Sequence, residues 1–138
     1  MGAKRIEELV AYQFALEFKL EVYRLIDNSP TARRDIRFDS HLREAASSVP
    51  SDVGEGFARF RPREFAYFLN CALGSLKESV LRVQDGIHRH HFQPRDCEHA
   101  LQLGSRCRRT LRNLQAAQER RAAAQDRERK QKGRGRSG

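Results

Sequence analysis

Apolar side chains return every three or four residues along most of this chain. From about Ile6 to Ile26, Leu9, Tyr12, Ala15 (or Leu16), Phe18 (or Lys19), Val22 and Ile26 share one helical face. Asn28-Ser29-Pro30 ends that stripe, because proline biases its predecessor away from the helical region while Asn and Ser favour turns. An arginine-rich connector, Thr31 to Arg37, follows, with Thr31 and Asp35 as candidate caps. The second stripe, Leu42, Ala45, Ala46, Val49, Val53 and Phe57, is small enough for a neighbouring helix to approach closely. Pro50 inside it predicts a kink, since it removes a backbone donor and clashes with the preceding turn, and Gly54 and Gly56 predict its end. Pro62 can open a third helix bearing Phe65, Phe68, Leu69, Ala72, Leu76, Ser79 (or Val80), Val83 and Ile87, with Gly86 as its expected stop. Pro94 begins a fourth, with Cys97, Ala100, Leu101, Gly104, Cys107, Leu111 and Leu114 on one face. No segment alternates like a strand. The pattern predicts an all-α, antiparallel up-down four-helix bundle over residues 1–118 with a kinked second helix. Phe14, Phe60, Tyr67, Leu73 and Leu103 fall off the main stripes and are candidates for a second apolar surface between protomers.

Composition sets bounds on this picture. The chain has 138 residues and 16.0 kDa, the size of one domain. It carries 27 Lys+Arg against 18 Asp+Glu, hence +9. Residues 119–138 hold +5 of that charge, and no apolar side chain larger than Ala follows Leu114, so a largely disordered basic tail is expected there. No apolar run approaches the roughly 18–20 residues of a membrane span, and Met1–Glu8 shows no secretory apolar core. Three cysteines do not make a disulfide framework, which points to a reducing cytoplasm.

The arginines carry the chemistry of greatest interest. Arg33, Arg34 and Arg37 lie in the first connector, Arg59, Arg61 and Arg63 in the second, and Arg106, Arg108, Arg109 and Arg112 on the fourth helix. Arg120 and Arg121 begin the tail. Such clusters suit RNA or DNA phosphates, with steep salt dependence, better than base reading, since no recognition-helix or stacking motif is evident. In an up-down bundle the first and third connectors share one end, so Arg33–Arg37 should lie near His88–His91 and opposite Arg59–Arg63. Asp52 and Glu55 could form an acid/base pair, but no nucleophile accompanies them, and no catalytic residue is assigned. Asp52 could instead accept backbone bonds near the kink or pair with Arg59, and Glu55 could reach the third helix or a neighbouring protomer. His88, His90, His91, Cys97 and His99 do not follow a zinc spacing, so no metal or other cofactor is expected. Gly74-Ser75 inside the third helix suggests close helix contact; no strand precedes it, which excludes a phosphate loop.

The segment Leu42-Arg43-Glu44-Ala45-Ala46-Ser47-Ser48-Val49-Pro50-Ser51-Asp52-Val53-Gly54-Glu55-Gly56 resembles the pattern Arg-x-Ala-x-Ser-Ile-Pro-x-Asn-Ile-Ala-Glu-Gly. Phe68-Leu69-Asn70-Cys71-Ala72-Leu73-Gly74-Ser75-Leu76-Lys77-Glu78 is similar to Phe-Leu-x-x-Ala-x-Gly-Ser-Leu-x-Glu. Both patterns belong to the four-helix-bundle proteins encoded in 23S rRNA intervening sequences. The resemblance covers roughly residues 6–116, and Leu9, Tyr12 and Ala15 fit the family's first helix. Asp52 stands where the family usually has Asn, and Gly54 where it has Ala. The resemblance marks Ser48, Pro50, Asp52, Glu55, Gly56, Gly74, Ser75 and Glu78 as structural or assembly residues. It implies a ring-like homopentamer and relatedness to the accessory variability determinant of diversity-generating retroelements, a nucleic-acid binder that also contacts a reverse transcriptase. An adaptor role toward a reverse transcriptase or another mobile-element protein is the alternative to direct nucleic-acid binding.

Overall fold

A computed structural model describes residues 5, 6 and 9–136, with the side chain of Arg136 outside the description. Residues 1–4, 7, 8, 137 and 138 are likewise outside it, and with them most of the N-terminus considered for a secretory signal and the last two residues of the expected tail. The described residues form helices and no strand: α1 Val10–Asp27, α2 Pro30–Arg34, α3 Ile36–Phe57, α4 Pro62–His88 and α5 Glu98–Arg136, the last entered through a 3-10 turn, Pro94–Cys97. The polypeptide is therefore all-α, with one more short helix than the apolar stripes suggest.

That short helix follows from local chemistry. Ser29 supplies the N-cap of α2, its Oγ accepting from the Ala32 amide at 3.2 Å, and Pro30 takes the first helical position. Asp35 then caps α3 through the Phe38 amide at 3.4 Å. Of the two residues expected as caps, Asp35 serves and Thr31 does not. Pro62 opens α4 as predicted. Gly86, expected as the stop of this helix, is instead buried inside it. A Cβ there would stand 2.6 Å from the Phe92 ring and 2.8 Å from that of Phe38. The helix ends at His88 and closes in a Schellman arrangement: His90 adopts a left-handed φ of 63°, its amide bonds to Ile87 O, and the His91 amide bonds to Gly86 O at 2.8 Å.

The core is one cluster drawn from all the long helices. Helix α1 packs on α3 and α5, and α4 packs on α3 and α5. Phe18, Val22 and Ile26 of α1, Leu42, Val49 and Val53 of α3, Leu69 and Val83 of α4, Cys97 of the 3-10 turn, and Cys107 and Leu111 of α5 are fully buried. Each large apolar side chain contributes about 1.5–3 kcal/mol when removed from water. Gly56 lets the end of α3 meet α4, where a Cβ would lie 2.8 Å from Phe65 and 2.9 Å from Phe68. Pro50 lies buried within α3, which continues through it to Phe57.

Two expectations need correcting. Leu103, assigned to an outer apolar surface, is a core residue only 5 % exposed. The stretch from 119 onward, expected to be largely disordered, continues α5 without a break to Arg136. Its Ala, Gln, Glu, Arg and Lys residues are strong helix formers, and the buried stripe goes on past Leu111 through Gln118 to Ala122. A face made of Gln and Ala carries too little hydropathy contrast to register as a stripe.

Candidate nucleic-acid interface

The first and third connectors meet at one end of the molecule. The Ser29 hydroxyl donates to the His91 carbonyl oxygen at 2.7 Å. The His91 ring lies between Thr31 Oγ1 at 3.0 Å and Asp35 Oδ2 at 2.9 Å, and Arg89 Nη1 reaches the same carboxylate oxygen at 3.0 Å. Phe38 packs on the His91 ring with centroids 4.9 Å apart. Asp35 is held below the usual carboxylate range, first by the hydrogen bond from His91 and further by the Phe38 amide and Arg89. Thr31, His91 and Asp35 thus form a hydroxyl–imidazole–carboxylate chain that the sequence hides, because His91 lies 60 residues from Thr31 and 56 from Asp35. Its carboxylate also caps α3 and receives Arg89, so the chain acts as a fastener between connectors. Arg33, Arg34 and Arg37 are exposed at this end.

The second connector lies at the other end, and the structure adds an unexpected neighbour to it. Because α5 runs back along α4 and continues past Ala122, its basic C-terminal half reaches Arg59–Arg63. Arg63 pairs with Asp126, and a cleft of about 180 Å³ is lined by Arg61, Arg63 and Arg129 together with Glu64, Gln125 and Asp126, besides Pro62 and Ala122. A second cavity, about 270 Å³, opens among Leu9, Phe57, Phe65 and Leu114, with Arg59, Phe60, Arg61 and Arg121 at its edge. Arg59 is held by Glu55 at 3.6 Å and lies over the Phe68 ring at 5.1 Å. Arg121 donates to Gln118 Oε1 at 3.2 Å. Arg61 and Arg120 are exposed and form no ion pair among the described residues. Arg127, Arg129, Lys130 and Lys132 continue the charge along α5, all exposed.

The predicted arginines therefore fall into three groups. Arg59, Arg61, Arg63 and Arg121 converge at one end, with Arg120 adjoining on α5. Arg33, Arg34 and Arg37 occupy the opposite end. Arg106, Arg108, Arg109 and Arg112 lie along the outside of α5, where Arg108 and Arg112 border an open groove of about 750 Å³ between α4 and α5. Gly74 lies in that groove with nothing within 4 Å of a Cβ built on it, so the close helix contact expected there is absent within the described chain. Exposed Leu81 borders the groove, while exposed Tyr67 lines a separate cavity of about 560 Å³ with Arg63, Gln115 and Asp126.

The motif residues form a joint between α3 and α4. Ser75 donates to Asp52 Oδ2 at 3.2 Å, tying the two motif halves together. Asp52 pairs with no arginine among the described residues; Arg59 turns to Glu55 instead, one helical turn away on its own chain segment. Burial pushes the Asp52 carboxyl above its usual range, the Ser75 bond counters this, and nearby Glu55 adds to the rise. Ser48 bonds back to Glu44 O at 2.9 Å, and Glu78 pairs with Arg82 at 3.0 Å. Of the His/Cys cluster, His91 enters the polar network at the first end, while Cys97 is buried in the core with its thiol pushed up to about 11. Among the described residues no three His, Cys, Asp or Glu side chains converge to hold a metal ion, and no helix is long and apolar enough to cross a membrane.

Residues 7–113 match the family model described as 23S rRNA-intervening sequence protein. No curated protein matches the chain.

Proposed function

The chain belongs to the 23S rRNA-intervening sequence protein family, and on that premise we propose that it is a non-enzymatic, oligomeric helical protein that binds RNA or DNA through phosphate contacts. The observation that carries this reading is the convergence of the Arg59–Arg63 connector with the basic C-terminal half of α5 at one end. Separate in sequence, these cations add their fields where a polyanion would approach, and each phosphate they neutralise releases counterions. The family description itself names a 23S rRNA intervening sequence, which supports a nucleic-acid setting. Binding of a labelled RNA or DNA at roughly 50 mM salt, weakening linearly in log salt, is the expected result. Absence of any binding under those conditions overturns the proposal.

The same reading includes the arrangement and the assembly. Contacts between the first and third connectors at one end, and between α4's start and α5's later turns at the other, support an antiparallel up-down bundle of α1, α3, α4 and α5, with α3 bending at Pro50. The groove between α4 and α5, with Gly74 open and Leu81 exposed, supports a further protomer seated there and a homopentamer as the assembled form. Light scattering that reports a 16.0 kDa monomer at micromolar concentration contradicts the assembly. The free thiols of Cys71, Cys97 and Cys107 suit a reducing cytoplasm. The same groove would serve the alternative role, an adaptor for a reverse transcriptase as in the accessory variability determinants, and a purified complex that survives nuclease treatment would favour it.

A further inference from the structure

Phe60 is the most exposed large apolar side chain among the described residues, 101 % accessible, and it lies between Arg59 and Arg61. Phe57 and Phe65, three residues before and five after, turn inward and pack edge to face at 6.3 Å. The ring of Phe60 does not join them. It lines the same cavity as Phe57 and Phe65, which Arg59, Arg61 and Arg121 also line. A lone phenylalanine in water gains nothing for the fold, since its transfer free energy is realised only on burial.

Its surroundings select what could cover it. A second copy presenting the same end would bring like charges together, which opposes docking. An apolar protein surface would have to desolvate several guanidinium groups to reach one ring. Duplex nucleic acid offers phosphates, but its bases are already stacked, and inserting a side chain between them costs a few kcal/mol of unstacking. An unpaired nucleotide satisfies both features: its base offers a π-face to the ring and its flanking phosphates meet the arginines on either side. Arg59 is already oriented by Glu55 and the Phe68 ring, so little further ordering is needed there.

We infer that Phe60 is a stacking platform for an unpaired base, and that the ligand of the basic end is single-stranded nucleic acid rather than duplex. This rests on the nucleic-acid reading above and names its substrate class. The ring supplies stacking, which is tolerant of sequence, while Arg59, Arg61 and Arg121 hold the adjoining phosphates. RNA and DNA strands share this chemistry, and only a contact to the 2′-hydroxyl would separate them.

The test compares the full chain with Phe60→Ala and Phe60→Trp, using labelled oligouridylate, oligothymidylate and duplex DNA of about ten nucleotides or base pairs, a length within the usual range for one single-strand site. Circular dichroism melts confirm that both variants fold. Stacking of one base predicts that Phe60→Ala weakens single-strand binding by about 5- to 150-fold and leaves duplex binding and the salt slope unchanged. The chain contains no Trp, so Phe60→Trp places a single reporter at the site, and its emission should be quenched by either single strand. Binding of either single strand that Phe60→Ala weakens in this range supports the inference. Single-strand binding that is indifferent to Phe60→Ala, or indole emission of the Phe60→Trp variant unchanged at saturation, overturns this inference while leaving the nucleic-acid reading in place. An emission shift in that variant with phosphatidylserine vesicles and none with oligonucleotide also overturns it. Failure of the unmodified chain to bind single strand and duplex alike removes both readings.

Discussion

Asp52 shows how one side chain can be costly alone and useful in company. Burial raises its pKa, so the folded state holds the proton more tightly than the unfolded chain. Between the ordinary carboxylate value and the raised one, stability therefore falls as pH rises, and above that window the ionised form remains a constant cost. Asp52→Asn keeps an acceptor for Ser75 and removes the charge. It should raise the melting temperature at pH 7 by an amount worth less than about 1 kcal/mol, because the carboxylate is partly solvated. The gain should vanish near about pH 3, where Asp52 itself is neutral; a lower melting temperature at pH 7 contradicts the account. The buried thiols make a second prediction. Cys97 is pushed up to about 11 and Cys107 to about 12 by burial, so both stay protonated and shielded at neutral pH. A thiol reagent should modify the half-buried Cys71 in the native protein and reach the other two only after unfolding. At this scale the sequence was least legible: Leu103 and Phe60 look alike off a helical stripe, yet one is core and the other fully exposed. The difference depends on which neighbour each faces, which periodicity does not carry.

Among the elements, α1, α3 and α4 follow their apolar stripes closely, because each sets Leu, Val and Phe against a polar face. Capping chemistry was readable in part, through Asp35 and Pro62, whereas Ser29-Pro30 reads as the end of a stripe and also opens α2. The glycines were not. Gly86 reads as a stop and is a close-packing position, while Gly74 reads as a close-packing position and faces open space. Only the tertiary fold distinguishes the two uses. Gly86→Ala should destabilise the protein by about 1–3 kcal/mol, since Phe92 and Phe38 must move. Gly74→Ala should leave the fold intact or stabilise the helix by up to about 1 kcal/mol. In denaturant melts, comparable losses for both variants would contradict this assignment. If the α4–α5 groove seats a second protomer, Gly74→Ala also weakens assembly in light scattering. The length of α5 escaped detection because Gln118 and Ala122 bury a face without hydrophobic bulk.

For the whole molecule, the continuation of α5 changes what a truncation does. Removing residues 119–138 takes away Ala122 from the core and Asp126 from Arg63, so it should lower the melting temperature. Ending the chain after Arg129 removes only residues exposed wherever they are described, together with four cations. That shorter protein should melt like the full chain yet bind nucleic acid more weakly, with a log–log salt slope smaller by up to about 3. Unchanged affinity would place the effective charge in the connector and in α5 up to Arg129. The distribution of arginines over two ends was legible from connector order; their union with the end of α5 was not, because it depends on helix length.

The central claim is that one end of the molecule, and not the other, holds the polyanion. Two triple variants test it in a single titration: Arg61→Ala/Arg121→Ala/Arg129→Ala at the convergent end and Arg33→Ala/Arg34→Ala/Arg37→Ala at the opposite end. Each removes three exposed cations, so net charge is matched. Affinity for a single-stranded oligonucleotide, measured against salt, should fall in the first variant with the slope reduced by about 2–3, and stay near that of the unmodified protein in the second. Equal losses in both variants, or the larger loss in the second, would contradict the account.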